Sequence, residues 1–260
     1  RKTAGKKVEY QLIGANIDYG IIMQALDNDF NINRLERYLV MLKQFNVDPI
    51  LIFSKSDLLE TEQLSSAKSE IANRFPELKV HFFSNFEKEG IKEIVSLLSP
   101  GKTYCLIGSS GVGKSTLINN LTGNEILKTN EIRESDSRGR HTTTTRQLIR
   151  LENGAMIIDN PGMRELANIS VENGIEETFE EISELAENCK FGDCSHTVEK
   201  GCAVLEALEK GELETERYDN FIKLRKESEY YERSYLEKRR KDKEFGKMVK
   251  SILKHKKDKR

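Results

Sequence analysis

The segment Gly108-Ser109-Ser110-Gly111-Val112-Gly113-Lys114-Ser115 constrains the fold more than any other part of the chain. It lies between an apolar run, Tyr104-Cys105-Leu106-Ile107, and a stretch of helical spacing from Lys114 to Leu121. It matches G-x-x-x-x-G-K-[ST], in which glycines let backbone N–H groups approach phosphate oxygens and the following helix adds the positive end of its dipole. At average glycine usage a chance match in a chain of this size is on the order of 1%. A strand feeding such a loop and then a helix predicts an α/β fold, a mostly parallel sheet flanked by helices, with the loop at the carboxyl edge. Within the loop, Gly108 to Gly113 would wrap the phosphates. Lys114 is expected to reach the terminal ones, Ser115 to ligate Mg2+ and Thr116 to add a phosphate contact.

Upstream, the chain reads as alternating strands and helices. Gln11 to Ile13 and Tyr19 to Leu26 are strand-like, and Leu35, Leu39, Leu42 and Phe45 recur at helical spacing after an Asn31 or Asn33 cap. Pro49 to Phe53 is a fully apolar run that delivers Ser54-Lys55-Ser56-Asp57 to a strand end. Glu62 to Phe75 predicts a helix, Val80 to Phe83 a strand and Ile91 to Leu98 a helix. Asp57 could accept hydrogen bonds from the ring N–H and exocyclic amine of guanine, a pattern adenine cannot supply. The Lys55 stem would support the base. Ser54 stands where asparagine or threonine is usual, and a hydroxyl can still tie loops together. Ser84-Asn85 reads as a second base-reading loop whose backbone N–H faces guanine O6, with Asn85 in place of the usual alanine. In an ordinary GTPase domain the guanine motif follows the phosphate loop. Here it precedes it, which predicts a circularly permuted GTPase.

Downstream, Arg140-His141-Thr142-Thr143-Thr144-Thr145-Arg146 lies where such a domain has its first switch, so Thr142 or Thr143 is the candidate that closes over Mg2+. Asp159-Asn160-Pro161-Gly162 follows the apolar strand Ala155 to Ile158. Asp159 would meet a water on Mg2+, and Gly162 could turn its N–H toward the terminal phosphate.

Three of the four cysteines crowd into Cys189-x4-Cys194-x-His196-x5-Cys202. Three thiolates and one imidazole are the ligand set of a closed, tetrahedral structural Zn2+ site. Short Cys and His spacing favours metal over disulfides. Cys105, inside an apolar strand, is read as a small core side chain.

Charge is divided unevenly along the chain. Of the 42 Lys/Arg and 43 Asp/Glu, residues 217–260 hold 17 and 8, which leaves 25 and 35 before them. Tyr230, Tyr231 and Tyr235 beside Arg233 and Lys238-Arg239-Arg240-Lys241 suit stacking on unpaired bases with cations on phosphates, and RNA is the expected partner. A helix is predicted from Glu214 to about Arg240. Mean hydropathy is -0.59. No apolar stretch approaches the roughly 20 residues of a membrane span. A cytoplasmic monomer without membrane association is expected.

The ordered set Ser-Lys-Ser-Asp, Ser-Asn, G-S-S-G-V-G-K-S, R-H-T-T-T-T-R, D-N-P-G-M-R-E and C-x4-C-x-H-x5-C resembles the RsgA (YjeQ) family of circularly permuted GTPases over residues 1–226. The resemblance implies GTP hydrolysis stimulated by the small ribosomal subunit during its late maturation, with a zinc domain and an N-terminal OB fold gripping ribosomal RNA. It divides the chain into the end of an OB domain or a linker (1–9), a permuted GTPase domain (10–167) and a helical zinc-binding domain with a basic tail (168–260). Met163 stands where many GTPases carry the glutamine that orients water, and Met cannot hydrogen-bond a nucleophile. His141 is therefore the candidate catalytic group. The competing readings are an RNA-binding zinc protein with a vestigial or regulatory nucleotide site, a P-loop ATPase or kinase, and a GTPase of the large subunit.

Overall fold

The structure is a computed structural model that describes residues 14–27, 30–127, 147–159 and 171–232, together with 237, 240 and 243. The strand expected at Gln11 to Ile13 and the segment 1–9 lie outside these residues. The chain divides into two compact units, one within Leu12–Leu166 and the other after Ala167.

In the first unit the apolar runs become strands of one six-stranded sheet. The strands are β1 (Tyr19–Ala25), β2 (Asp48–Ser54), β3 (Lys79–Phe82), β4 (Thr103–Gly108), β5 (Gln147–Arg150) and β6 (Met156–Asp159), in the order β3-β2-β1-β4-β6-β5. All neighbours run parallel except β5, which pairs antiparallel with β6. The unbroken apolar character of the central strands follows from burial on both faces. Ile21, Met23, Ile50, Ile52, Tyr104 and Leu106 join one core cluster, whereas Ile22, Leu51, Phe53, Cys105 and Ile107 join the other. Cys105 is thus the core side chain the sequence predicts.

Helices α1 (Ile32–Gln44) and α2 (Thr61–Arg74) contribute Leu35, Leu39, Leu42 and Ile71 to the second cluster. Helices α3 (Ile91–Leu97) and α4 (Lys114–Thr122) contribute Ile94, Leu117 and Ile118 to the first. Asn31 caps α1, its side chain accepting from Arg34 N at 2.9 Å. A fully buried Glu36 on α1 meets Arg74 on α2 at 2.8 Å, which ties the two helices over the same face. Such a pair is worth little as net stability, but losing one partner strands a buried charge.

The second unit holds α5 (Glu172–Thr178), α6 (Glu180–Ala186), α7 (Ala203–Lys210) and a helix over residues 215–232. Ile175, Phe179, Ile182, Val204, Phe221 and Leu224 are buried there. Arg217 stacks over Phe179 at 4.4 Å and donates to Thr178 O at 2.7 Å, binding the long helix to the α5–α6 corner.

Candidate functional site

Every described nucleotide-motif residue of the first unit sits at or beyond the carboxyl ends of the parallel strands. Register makes this unavoidable: Met23 lies opposite Gly108, Ala25 opposite Ser54, Phe53 opposite Phe82, and Leu106 opposite Asp159. The strand order reverses direction at β1, where β2 lies on one side and β4 on the other. An open α/β sheet binds its ligand at such a crevice.

The phosphate loop is shaped by close approach. A Cβ on Gly108 would stand 2.3 Å from Met23 O, and one on Gly113 would stand 2.5 Å from Asn85 Nδ2, at a φ of +93° that L side chains rarely adopt. Lys114 folds back so that its Nζ donates to Gly108 O at 2.7 Å and Ser109 O at 2.5 Å. It is 8% exposed, and burial pushes its amine down to about 8, with the Asp159 carboxylate opposing the shift. Asp159 is 2% exposed, and burial pushes its carboxyl up, with Lys114 pulling the other way. Its Oδ2 is buried without a hydrogen-bond partner among the described residues. A buried carboxylate oxygen near an ammonium, with the half-buried Ser115 hydroxyl on the same loop, is a donor set that could hold a divalent cation accompanying a phosphate.

Ser54 is fully buried, and its hydroxyl donates to Val112 O at 2.7 Å. The residue that departs from the usual asparagine therefore still fastens the Ser54–Asp57 segment to the phosphate loop. Lys55 adopts the left-handed conformation, and its Nζ meets Asp27 Oδ2 at 2.6 Å. Asp27, just past β1, belongs to no motif, so nothing in the sequence marks it for this contact. Ser56 is buried, its N–H on Phe83 O, while Asp57 is exposed. Ser84 is fully buried, its hydroxyl accepting from Phe86 N and Glu87 N at 3.2 and 3.1 Å. That turn presents Asn85 to α4. His141, Thr142, Thr143 and Gly162 lie outside the described residues.

In the second unit Cys189, Cys194, His196 and Cys202 converge, with their ligand atoms all within 4.8 Å of one another. Two thiolates on one tetrahedral Zn2+ stand roughly 3.8 Å apart, and Cys189 Sγ and Cys202 Sγ are 3.8 Å apart. His196 Nδ1 lies 3.5 and 3.4 Å from those two sulfurs. No disulfide joins them. Burial, then the nearby Arg225, pushes His196 down toward the neutral imidazole that a metal requires. Its carbonyl accepts from Tyr218 Oη at 2.7 Å, and Arg225 donates to Cys194 O. Glu199 gathers the N–H groups of Ser195, Thr197 and Val198 at 2.9 to 3.1 Å. The cluster is compatible with a closed zinc site.

The sequence matches the family model described as RsgA GTPase over residues 1–168. It is 41% identical to the small ribosomal subunit biogenesis GTPase RsgA 2 of Vibrio parahaemolyticus, over 97% of this chain and 70% of that protein. It is 45% identical to the RsgA 2 of Listeria monocytogenes over 88% of this chain and 65% of that one. Among solved structures, YjeQ from Thermotoga maritima aligns with a TM-score of 0.60 at 27% identity, covering 82% of this chain and 72% of that one. YloQ, described as a circularly permuted GTPase, aligns at 0.61 and 26% identity, covering 82% and 69%.

Proposed function

This chain belongs to the RsgA GTPase family, and from that premise we propose that it binds GTP at the carboxyl edge of its sheet and hydrolyses it to GDP and phosphate to drive late maturation or release of the small ribosomal subunit. The observation that carries the site assignment is the convergence there of Lys114, an Asp159 Oδ2 with no hydrogen-bond partner among the described residues, and the Ser54 tie to the phosphate loop.

Guanine is read by Asp57, with Lys55 lying along the base and the N–H of Asn85 directed at O6. Two carboxylate acceptors facing two donors discriminate against adenine, because a mismatched base leaves them unpaired. The loop from Gly108 to Gly113, with Lys114, Ser115 and Thr116, holds the phosphates. Mg2+ arriving with the nucleotide would be held by Ser115, Asp159 and Thr142 or Thr143, and supplies charge neutralisation at the phosphate oxygens when bound. Water attacks the terminal phosphorus, the bond to the GDP oxygen breaks, and the water's two protons end on the released phosphate, which exchanges one of them with solvent. His141 orients that water, with Gly162 on the terminal phosphate.

Cys189, Cys194, His196 and Cys202 would hold one structural Zn2+. The second switch begins at Asp159 and the first thiolate is Cys189, so a change at the terminal phosphate has a short chain path to a metal-braced module. That module and the basic tail contact ribosomal RNA, with Tyr230, 67% exposed, as a stacking ring. No described helix is long and apolar enough to cross a membrane.

The test is co-sedimentation of the full chain with purified small subunits in the presence of a non-hydrolysable GTP analogue or GDP. Binding that depends on the nucleotide is expected. Equal pelleting with large subunits would refute the assignment of partner.

A further inference from the structure

We infer that the Asn85 side chain is a positioning residue of the nucleotide site, clamping the second base-reading loop to the phosphate loop and its helix. The inference rests on the guanine-site reading above and concerns a side chain that this reading does not use. Asn85 Nδ2 donates to Gly113 O at 3.1 Å, and Asn120 Nδ2 on α4 donates to Asn85 Oδ1 at 3.1 Å and to Asn85 O at 3.3 Å. The carboxamide thus passes a hydrogen bond from the second turn of α4 to the carbonyl at its N-cap.

The direction of this relay is fixed. Gly113 offers only a carbonyl oxygen to it, so the group facing Gly113 must be a donor, and the group facing the Asn120 amide must be an acceptor. A carboxamide meets both demands and a carboxylate meets one. Gly113 is fitted to the clamp in turn, because a Cβ there would fall 2.5 Å from Asn85 Nδ2. On the other side, Ser54 Oγ donates to Val112 O at 2.7 Å. Consecutive carbonyls of the phosphate loop, Val112 and Gly113, are therefore each held by one of the two base-reading segments. The Ser84 hydroxyl, accepting from Phe86 N and Glu87 N, keeps the turn that carries Asn85 in shape.

The consequence is preorganisation. A nucleotide must be gripped by its base and its phosphates at once, and a cradle whose two halves are already bonded loses less freedom on binding. Alanine at position 85 would leave the loop's N–H directed at the base but untied from the phosphates. Aspartate, of the same shape, would set an acceptor against the Gly113 carbonyl.

The experiment is equilibrium binding of a fluorescent GDP analogue to the full chain and its variants, with thermal melting of each nucleotide-free protein followed by circular dichroism. Asn85→Ala is expected to bind about fivefold more weakly, the order of one net hydrogen bond's worth of preorganisation. Asn85→Asp should bind more weakly than Asn85→Ala, although it is closer in shape. Combining Asn120→Ala with Asn85→Ala should give binding no weaker than Asn85→Ala alone. Aspartate that binds as well as asparagine, alanine that matches the unaltered chain, or effects that simply multiply would each overturn the clamp. If Asn85→Ala loses its cooperative melt, Asn120→Ala alone decides, and unchanged affinity there overturns the inference. Absence of GDP binding by the unaltered chain would remove the guanine-site reading itself and the clamp with it.

Discussion

Lys114 gives the site a proton linkage whose size follows from its surroundings. The amine is 8% exposed, and burial pulls its pKa from 10.5 to about 8. If Lys114 holds phosphate it must do so as the ammonium, so affinity should be fully present about a unit or more below pH 8 and be lost as pH rises through that value. From the titration of one such group, the dissociation constant for GDP should rise about tenfold between pH 7 and pH 9, and binding at pH 8 should take up about half a proton. Stability of the nucleotide-free chain runs the other way. A lysine whose folded pKa lies below its unfolded one leaves the fold holding fewer protons between about 8 and 10.5, so stability rises with pH across that window. The assay is isothermal titration calorimetry in two buffers of different ionisation heat, with Lys114→Arg as the reference, since a guanidinium stays charged throughout. A dissociation constant that changes less than about twofold over this range, or no proton uptake at pH 8, would exclude Lys114 as a titrating phosphate contact.

Two further outcomes follow from the same geometry. Ser54→Ala removes the donor to Val112 O at a fully buried position, and urea unfolding of the nucleotide-free chain should show a loss of about 1 to 3 kcal/mol. Ser54→Thr keeps the hydroxyl and should lose less. Treating the chain with a strong zinc chelator should abolish the helical signal of α5 to α7 and the 215–232 helix and release about one equivalent of zinc per chain. The GDP affinity of the sheet-bearing unit should then stay within about twofold. Retention of that helical signal after the metal is gone would show that the cluster does not hold the second unit together.

Much of this was legible in the sequence, because the chemistry that shapes these elements is local. The glycines at 108 and 113 announce a backbone brought against its neighbours, and the structure shows Met23 O and Asn85 Nδ2 occupying the space a Cβ would need. The continuous apolar runs at Ile50 to Phe53 and Tyr104 to Ile107 mark strands covered on both faces. The cysteine and histidine spacing gave the four groups that converge in the second unit. Strand β5 was not legible. Only Ile149 of its four residues is buried, so Gln147 to Arg150 offers no alternation to read, and its place comes from pairing with β6. The short helices α5 and α6 were not placed individually, because Glu-rich turns of seven residues carry little periodic signal. The ties that matter most to the site were also hidden. Ser54 reaches Val112 across 58 positions and Asn85 reaches Gly113 across 28, and neither partner is implied by its neighbours in sequence.

Turnover of GTP in response to one ribosomal particle is measured by steady-state hydrolysis with the full-length protein, alone, with purified small subunits and with large subunits. Slow turnover alone, strong stimulation by small subunits and none by large ones are expected, with His141→Ala abolishing the stimulation and sparing GTP binding. GTP binding with no response to small subunits would contradict that dependence.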